Sequence, residues 1–456
     1  MLRAAAVAEK CGIRTASIVA SAFLGLAAHT SKGLGVPNLA IAEYPGVPMT
    51  DDEHALRRKV ENDLAPRIVA GLAKPVSTAG SVEAAAGPRE IVARGGLDQI
   101  LRTFHDRQWS DGLPIVPPTP DRVEAFFEFT ERAADEVIGT LPVESREASL
   151  WSIAVNGVMA GCEPRYMPIL IAVVECISDP AFRLQDAGAT PGWEPLVIVS
   201  GPIAKALDFN SGAGALRVGR QANTSIGRFL RLYLRNVCGF RISPGEGDKA
   251  CIGSAFNVAL AENEDAVQEL GWPPFSADRG FAAGENAVTV QSVVSASPPT
   301  YSAGSSALDH ASIHKDVICE GFKYWAFLGI KRTKWSALFV MSPSVAKVIA
   351  SQWSKDDYRR YLAENVRMPV SEMMRFARNL SNTTFSVEDM VEQGALPPAY
   401  AESADPDRRV PIFIDPSSIN IVVAGDPGRN QTRGYMNNHQ QGWPVSKRVV
   451  LPKGWR

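Results

Sequence analysis

The sequence predicts a mixed α/β fold, with a partial βαβ small domain followed by a large mixed α/β domain. Two observations carry this prediction. Segments with helical spacing of apolar residues alternate with short, continuous apolar runs, which is typical of strands buried between helices. The chain also has 456 residues, of which 45% are hydrophobic and 21% charged, and this is enough apolar material for two or three cores of ordinary domain size.

The first 45 residues predict the order helix, strand, helix, strand, in the segments MLRAAAVAEKCG, IRTASIVA, SAFLGLAAHTSKGLG and VPNLAIAEYP. This order is that of a βαβ unit with a right-handed crossover. A helix follows at about 51 to 72, where Asp51 and Asp52 favour its positive end. Residues 75–91 then lose periodicity and gather Pro, Gly, Ser and Ala, so they are the predicted linker between a small domain at 1–74 and a large domain at 92–456.

Within the large domain, buried strands are predicted in EPLVIVSGPI, WSALFVMSP and SINIVVAG, with helices between them. The segment SASPPTYSAGSSA has little periodicity, and it predicts a subdivision near 295–307. We find no internal repeat at a fixed period.

The charge balance excludes several classes of protein. There are 47 basic and 49 acidic residues, a formal net charge of -2, which gives no field to collect nucleic acid or an anionic membrane.

The most apolar early segment is interrupted by His29 and Lys32 before it could span a bilayer, and no signal-peptide pattern is present. Six cysteines without paired CxxC spacing predict reduced thiols in a cytoplasmic protein. No cofactor is identified, and a homo-oligomer is compatible with the sequence.

The most distinctive stretch is NSGAGALRVGRQANTSIGRFLRLYLRNV at 210–237. Its glycines allow backbone N–H groups to face an anion ahead of a helix with Asn223 or Thr224 as N-cap, and arginines at 228, 231 and 235 share one helix face. It matches neither the Walker loop nor the dinucleotide fingerprint. The alternative is a glycine-rich connection before a solvated basic helix. The predicted substrate-binding residues are Asn210, Ser211, Arg217, Arg220, Asn223, Thr224 and Arg228.

A second polar segment follows the last predicted strand, in AGDPGRNQTRGYM. Ligands of α/β folds gather at the carboxyl ends of strands, so Asp426, Arg429, Asn430 and Arg433 are further substrate-binding candidates. The alternative is a turn rich in Pro and Gly. A joint site with residues 210–237 requires that the two segments meet in space.

Three residues are candidates for catalysis. Cys162 and Glu163 lie near a predicted element end, and Cys251 lies in a glycine-flanked loop; a buried core cysteine is the alternative for Cys162.

His310 and His314 are four residues apart, so on a helix they would face the same way and could share a divalent metal. The alternative is a polar helix start, and no third ligand is identifiable.

Two regions resemble the UGSC-motif proteins, which are distantly similar to the selenoprotein of glycine reductase. The opening AEKCGIRTASIVASAFLGLAAHTSKGLGVPNLAIAEYPG resembles part of their small domain, and segments such as DGLPIVPPTPDRV, GTLPVESREASLWSIAVNGVMAGCEPRYMPIL and NSGAGALRVGRQANTSIGR resemble their large domain. The resemblance implies thiol- or selenol-dependent reductive cleavage of a small anionic substrate.

The U/C-G-S-C motif of that family is missing from this chain. Either it lies upstream of Met1, or a thiol- or selenol-bearing partner supplies it, or it has been lost. Two other functions stay open. One is metal-assisted hydrolysis or lysis with the two histidines, and the other is a non-catalytic subunit that binds substrate or docks a partner.

Overall fold

The computed structural model describes residues 2–75, 87, 89–142, 145–187, 192–241, 255–332, 336–381, 385–437 and 441–455. Within these ranges the chain forms helices and several mixed sheets, which confirms the predicted mixed α/β class. Three groups of elements follow one another along the chain, and we call them the N-terminal unit (2–75), the first half (97–301) and the second half (307–448).

The N-terminal unit is the predicted βαβ arrangement. Its elements are α1 (Leu2–Lys10), β1 (Ser17–Ala20), α2 (Leu24–Gly33), β2 (Ile41–Tyr44), α3 (Glu53–Lys59) and α4 (Ala65–Ala73), with a π-helical turn between the last two. β1 and β2 pair in parallel, as a crossover through α2 requires. Asp52 caps α3 by accepting the N–H of Ala55 at 2.7 Å, and this confirms the predicted start of that helix.

The first half contains eight helices and seven strands within the described residues. They are α5 (Leu97–Asp106), α6 (Pro120–Glu124), β3 (Val137–Leu141), β4 (Arg146–Ser149), α7 (Leu150–Ala160), α8 (Met167–Ser178), β5 (Glu194–Ser200), α9 (Ile203–Ala206), α10 (Gln221–Tyr233), β6 (Leu260–Ala261), α11 (Glu264–Leu270), α12 (Phe275–Asp278), β7 (Ala287–Val293), β8 (Ser295–Ala296) and β9 (Thr300–Tyr301). Every residue of β5 and of β7 is buried, because both strands are covered on both faces.

The described part of the second half has six helices and six strands. They are α13 (Ala307–Phe322), α14 (Ala326–Arg332), β10 (Ser336–Met341), α15 (Pro343–Ala350), α16 (Lys355–Asn365), β11 (Arg367–Pro369), α17 (Val370–Ser381), α18 (Val387–Glu392), β12 (Arg409–Pro411), β13 (Ile419–Val423), β14 (Gln431–Asn437) and β15 (Val445–Arg448). The strands predicted in WSALFVMSP and SINIVVAG are β10 and β13, and both are fully buried.

The two halves build equivalent sheets. The first sheet has the order β15-β7-β5-β6, and the second has β13-β10-β14-β8, with β9 also on β14. Each central strand, β5 or β10, pairs in parallel with one neighbour and antiparallel with the other. The registers correspond: Ile198 lies opposite Leu260 and Thr289, and Val340 lies opposite Val422 and Arg433.

This correspondence is also visible in the sequence once the structure indicates where to look. Residues 193–207 and 335–349 align without a gap, and both carry Trp, Leu, Ser, Ala and Lys at equivalent positions. The spacing is not constant, however, because Val340 follows its counterpart Ile198 by 142 residues whereas Val422 follows Leu260 by 162. A search for a fixed period therefore misses the relation.

The sheets pack face to face between two helical layers. Apolar residues from both sheets meet in one cluster that includes Leu196, Ile198, Leu338, Val340 and Val422. Helices α7, α8 and α10 cover the outer face of the first sheet, and α13, α15 and α16 cover that of the second. The edge strands are exchanged: β8 follows β7 but pairs with β14, and β15 follows β14 but pairs with β7. The halves are thus interlocked, and the carboxyl ends of β5 and β6 open at one edge.

Candidate functional site

A cavity of about 650 Å³ lies at the carboxyl ends of β5 and β6. Its lining includes Gly201, Ser211, Glu262, Glu264 and Trp272. Because β5 and β6 are parallel, their ends lie at the same edge of the sheet, which is where α/β folds bind ligands. The volume suits a small molecule. We therefore take this cavity as the candidate functional site.

Gly201 shapes the floor of the cavity. It follows β5 directly and has a φ of 99°, which side chains other than glycine rarely adopt. A Cβ built there would lie 2.5 Å from the carbonyl oxygen of Glu285. The turn therefore needs glycine both for its backbone conformation and for the close approach of a neighbouring segment.

Glu262 is a carboxyl group buried in the wall of this cavity. It directly follows β6 and is only 2% exposed. One oxygen, Oε2, accepts the N–H of Phe275 at 2.6 Å, and Oε1 accepts that of Val423 at 3.5 Å. Burial raises the pKa of Glu262 to about 7, against the opposing effect of Lys355. The carboxyl therefore exchanges its proton near neutral pH, as a general acid or base needs to do.

Glu264 is a second carboxyl with a perturbed pKa on the same wall. It is the first residue of α11, and its Oε1 accepts the N–H of Gly201 at 2.5 Å. Burial raises its pKa as well. Asn263 caps α11 and donates its backbone N–H to the carbonyl of Val423 at 2.8 Å, so this turn is attached to β13 of the second half. Two coupled carboxyls of this kind in a cavity are characteristic of functional sites.

At the mouth of the cavity, charge is mostly negative. Lys205 pairs with Asp265 through Nζ and Oδ2 at 2.9 Å, and both side chains are largely exposed. Among the described residues, the lining includes the carboxyls of Glu262, Glu264 and Asp265 and one lysine, Lys205. Glu262 and Glu264 were not predicted from the sequence. The strand before them, β6, is only two residues long, so it is hard to recognise from the sequence. A signal was present, however: acidic residues follow the apolar run NVALA, just as polar residues follow the strand before 425–433.

The two segments singled out in the sequence do meet. The N–H of Gly425 donates to the carbonyl of Ser211 at 2.9 Å, which satisfies the condition set for a joint site. Asn210 accepts the N–H of Gly212 at 3.0 Å and donates its amide to Ala213, so it closes a local turn. Ser211 also lines the cavity, and it is the direct connection between this loop and the candidate site.

The predicted N-cap of α10 is wrong. The helix begins at Gln221 with Arg220 as the N-cap residue, so Asn223 and Thr224 lie in its first turn. The buried side-chain amide of Asn223 instead connects two neighbouring segments of the chain. It accepts the N–H of Asn210 at 2.7 Å and donates to the carbonyl of Ala259 at 2.9 Å. The hydroxyl of Thr224 accepts the N–H of Gly219 at 3.2 Å. These side chains fix the loop.

The arginines of α10 are engaged by protein groups. Arg228 forms a bidentate pair with Asp111 at 2.9 and 2.8 Å, and both side chains are mostly buried. Burial would raise the pKa of Asp111, but the hydrogen bonds and charge of Arg228 hold it below its usual value. Arg231 pairs with Glu194 at 2.7 Å, and Arg235 donates to the carbonyl of Gln108. The basic face is therefore neither solvated nor directed at a ligand.

The remaining predicted arginines lie at the surface. Arg220 pairs with Asp208 at 2.6 Å, with both side chains more than half exposed. Arg217 is exposed and has no ion-pair partner among the described residues. Arg429 is 72% exposed and lies 3.8 Å from Asp426.

Beyond Arg429, the last two predicted residues are held by strand contacts. Arg433 donates from Nε to the carbonyl of Ser297 at 3.2 Å, and the carbonyl of Asn430 accepts the N–H of Ser302 at the same distance. Of the arginines predicted to bind an anion, Arg217 and Arg429 are thus the two best placed to contact a ligand at the surface.

Neither Cys162 nor Glu163 lines the cavity. Cys162 is buried, and burial raises the pKa of its thiol to about 12, so at neutral pH it is protonated and a weak nucleophile. Glu163 accepts a hydrogen bond from Arg165 at 2.6 Å. Cys251 lies outside the described residues. Cys162 fits the alternative of a core cysteine.

His310 and His314 face the same way on α13, as their spacing predicts, and both are fully buried. Ser302 connects them: its Oγ lies 2.7 Å from His310 Nδ1 and 3.2 Å from His314 Nε2. These contacts belong to a chain of hydrogen bonds. It extends from His314 Nδ1 to the hydroxyl of Tyr358 at 2.7 Å and from His310 Nε2 to the carbonyl of Gly304 at 3.3 Å. All four ring nitrogens therefore have partners within the protein.

The direction of this hydrogen-bond chain follows from its end. The carbonyl of Gly304 can only accept, so His310 is protonated on Nε2 and accepts from Ser302 on Nδ1. Ser302 then accepts from Nε2 of His314, and Nδ1 of His314 accepts from Tyr358. Both imidazoles are neutral in this arrangement. Burial is the main reason that the pKa of His314 is lowered to about 3. Within the described ranges no group of three His, Cys, Asp or Glu side chains could hold a metal, so the metal hypothesis gains no support.

No helix among the described residues is both long and apolar enough to cross a membrane. Comparison with known proteins finds neither a family model nor a curated protein that matches this chain.

Proposed function

We propose that this protein is an enzyme that binds a small polar molecule in the cavity at the ends of β5 and β6, with Glu262 transferring a proton to or from it. One observation carries the proposal: a carboxyl only 2% exposed, with a pKa raised to about 7, lines a cavity of small-molecule size at the carboxyl ends of parallel strands. Glu264 supports this role, because two neighbouring carboxyls in different surroundings divide protonated and ionised states between them.

The protein would act on its ligand through groups that the fold already positions. Glu262 is held by backbone N–H groups of Phe275 and Val423, so its oxygens have fixed positions. Trp272 and the other apolar parts of the lining exclude water from one side of the ligand. A positioned general acid or base of this kind contributes roughly 10²- to 10⁴-fold to a reaction rate.

The test begins with a thermal-shift screen of small amines, carboxylates, phosphates and thiols, since a ligand that binds only the native state raises its melting temperature. Each hit is then measured by calorimetry in two buffers of different ionisation enthalpy, with the wild type, Glu262→Gln and the exposed Glu61→Gln as control. Proton uptake or release on binding should occur in the wild type and in the control and vanish in Glu262→Gln. Equal proton linkage in all three proteins would refute the role of Glu262.

The resemblance to UGSC-motif proteins extends this proposal to thiol- or selenol-dependent cleavage, with the sulfur or selenium supplied by a partner. The thiol of Cys162 is not suited to that step, because its raised pKa keeps it protonated. The partner's own thiol should react with the substrate. Non-reducing electrophoresis of a copurified complex should therefore show no mixed disulfide between this protein and the thiol-bearing partner.

Binding of a small anion is a second candidate, favoured by the bond between Gly425 and Ser211 that joins the two predicted loops. Arg217 and Arg429 would then contact the anion. Arg217→Ala and Arg429→Ala should each weaken binding of a small carboxylate or phosphate by roughly 1.5–3 kcal/mol, with Arg378→Ala at an exposed position of α17 as the control. Unchanged affinity in both alanine variants would leave the loops with a structural role.

A further inference from the structure

Lys355 connects the second half of the chain to the wall of the cavity. It is the first residue of α16, and its side chain is only 2% exposed. Its Nζ donates to the carbonyl of Pro273 at 2.9 Å and to Oδ2 of Asp278 at 2.8 Å, both of which belong to the first half. A buried ammonium of this kind is stabilised only by well-placed partners, so its position is fixed.

The segment that Lys355 holds is the one that binds Glu262. Pro273 and Pro274 restrict the backbone just before α12. The next residue, Phe275, is fully buried and donates its N–H to Oε2 of Glu262 at 2.6 Å. The ammonium thus anchors a rigid turn two residues before the donor that positions the carboxyl.

The charge balance around this turn is positive. Asp278 accepts from Lys355 at 2.8 Å and from Arg359 at 2.6 Å, so one carboxylate faces two buried cations. Arg359 also bonds Asp356, but that carboxylate is 77% exposed and solvated. The charged side chains on the elements around Glu262 are those of Lys205 on α9, Glu264, Asp265 and Glu269 on α11, Asp278 on α12, and Lys355, Asp356, Asp357, Arg359, Arg360 and Glu364 on α16. Of these, the charge of Lys355 favours an ionised Glu262 and the charge of Glu264 opposes it.

We propose that Lys355 is a positioning residue for Glu262: its buried ammonium fixes the turn that donates to the carboxyl and brings a positive charge to that turn. The inference rests on the proposed function of Glu262. It assigns to the second half a role in the first-half site, since α16 holds the turn that binds the group that meets the ligand.

The experiment titrates Glu262 directly, without a ligand. The full-length protein is labelled with glutamate carrying ¹³C at the carboxyl carbon, and the Glu262 resonance is assigned by its loss in Glu262→Gln. Lys355→Met should raise the Glu262 midpoint by about one pH unit, a tenfold higher proton affinity. Asp278→Asn should lower it, because both cations then act without their shared counter-charge. Lys355→Arg keeps the charge and should stay near the wild type.

The opposite signs distinguish this role from a general loosening of the structure, which would shift Lys355→Met and Asp278→Asn in the same direction. Asp278→Asn also tests the inference where Lys355→Met fails to fold. A wild-type midpoint near neutral pH that neither substitution moves would overturn the role of Lys355 and leave the proposed function intact. A wild-type midpoint near 4.5 would instead remove the basis of the proposed function itself.

Discussion

Replacing His314 by glutamine should reduce the loss of stability that the protein undergoes in mild acid. In the folded protein the pKa of His314 is lowered to about 3, from an ordinary value of 6.5. Below 6.5 the unfolded chain therefore binds a proton that the native state rejects, and stability falls as the pH falls towards 3. At pH 5 the loss from this one residue is about 2 kcal/mol relative to pH 8.

The hydrogen-bond chain explains why the native state rejects this proton. A protonated His314 would present a second N–H to the hydroxyl of Tyr358, which would have to turn its own hydrogen away from the ring into a fully buried region. Glutamine can keep one donor and one acceptor but cannot titrate.

The assay is urea unfolding at pH 8, 6 and 5, followed by tryptophan fluorescence, for the wild type, His314→Gln and His105→Gln. His105 is exposed and is the control, since an exposed imidazole is hydrated in both states. His314→Gln is expected to be less stable than the wild type at pH 8 and to lose about 2 kcal/mol less on going to pH 5. An equal loss in wild type and His314→Gln would refute the neutral, one-directional chain.

Three further outcomes follow from single contacts. Asp111→Asn should lower the free energy of unfolding by about 2 kcal/mol, because it leaves the mostly buried Arg228 with a weaker partner, and denaturant titration measures this. Gly201→Ala should be about 2 kcal/mol more destabilising than Gly284→Ala in the same assay: both glycines have positive φ, but only at Gly201 does a Cβ meet backbone atoms. Iodoacetamide at pH 8 should modify the exposed Cys11 and leave Cys162 unmodified in native protein, as read by mass spectrometry, whereas modification of both at equal rates would contradict the burial of Cys162.

The sequence was sufficient for elements whose residues carry the signal themselves. The βαβ order of the first 45 residues, the helix after Asp52 and the buried strands β5, β10 and β13 all follow from local periodicity and were predicted. Side-chain partners were not predictable in the same way. The partner of Arg228 is Asp111, 117 residues earlier in the chain, so spacing along α10 could show that the arginines share a face but not what that face meets.

The site was missed for a related reason. Glu262 becomes distinctive only through burial and through two donors, Phe275 and Val423, that lie 13 and 161 residues away. In sequence it is one acidic residue among three in ALAENEDA. Polar residues after a buried strand were predicted to mark a site only after β13, whereas the candidate carboxyls follow the two-residue strand β6.

The equivalence of the two halves explains how the cavity forms at the end of β5. In each half the chain must cross the end of the central strand between its parallel and antiparallel neighbours. Over β10 this crossing takes only 424–430. Ser344 donates to the carbonyl of Arg429 within it, and the hydroxyl of Ser342 accepts the N–H of Gln431 directly after it, which closes the strand end. Over β5 the crossing runs from 262 to 286, long enough to include α11 and α12 and to leave space beneath them. The long crossing brings the carboxyls of Glu262 and Glu264 to the strand ends. The second half contributes Lys355 on α16, which binds the carbonyl of Pro273 in that crossing. Of the two equivalent halves, the first thus forms the cavity and the second supports it.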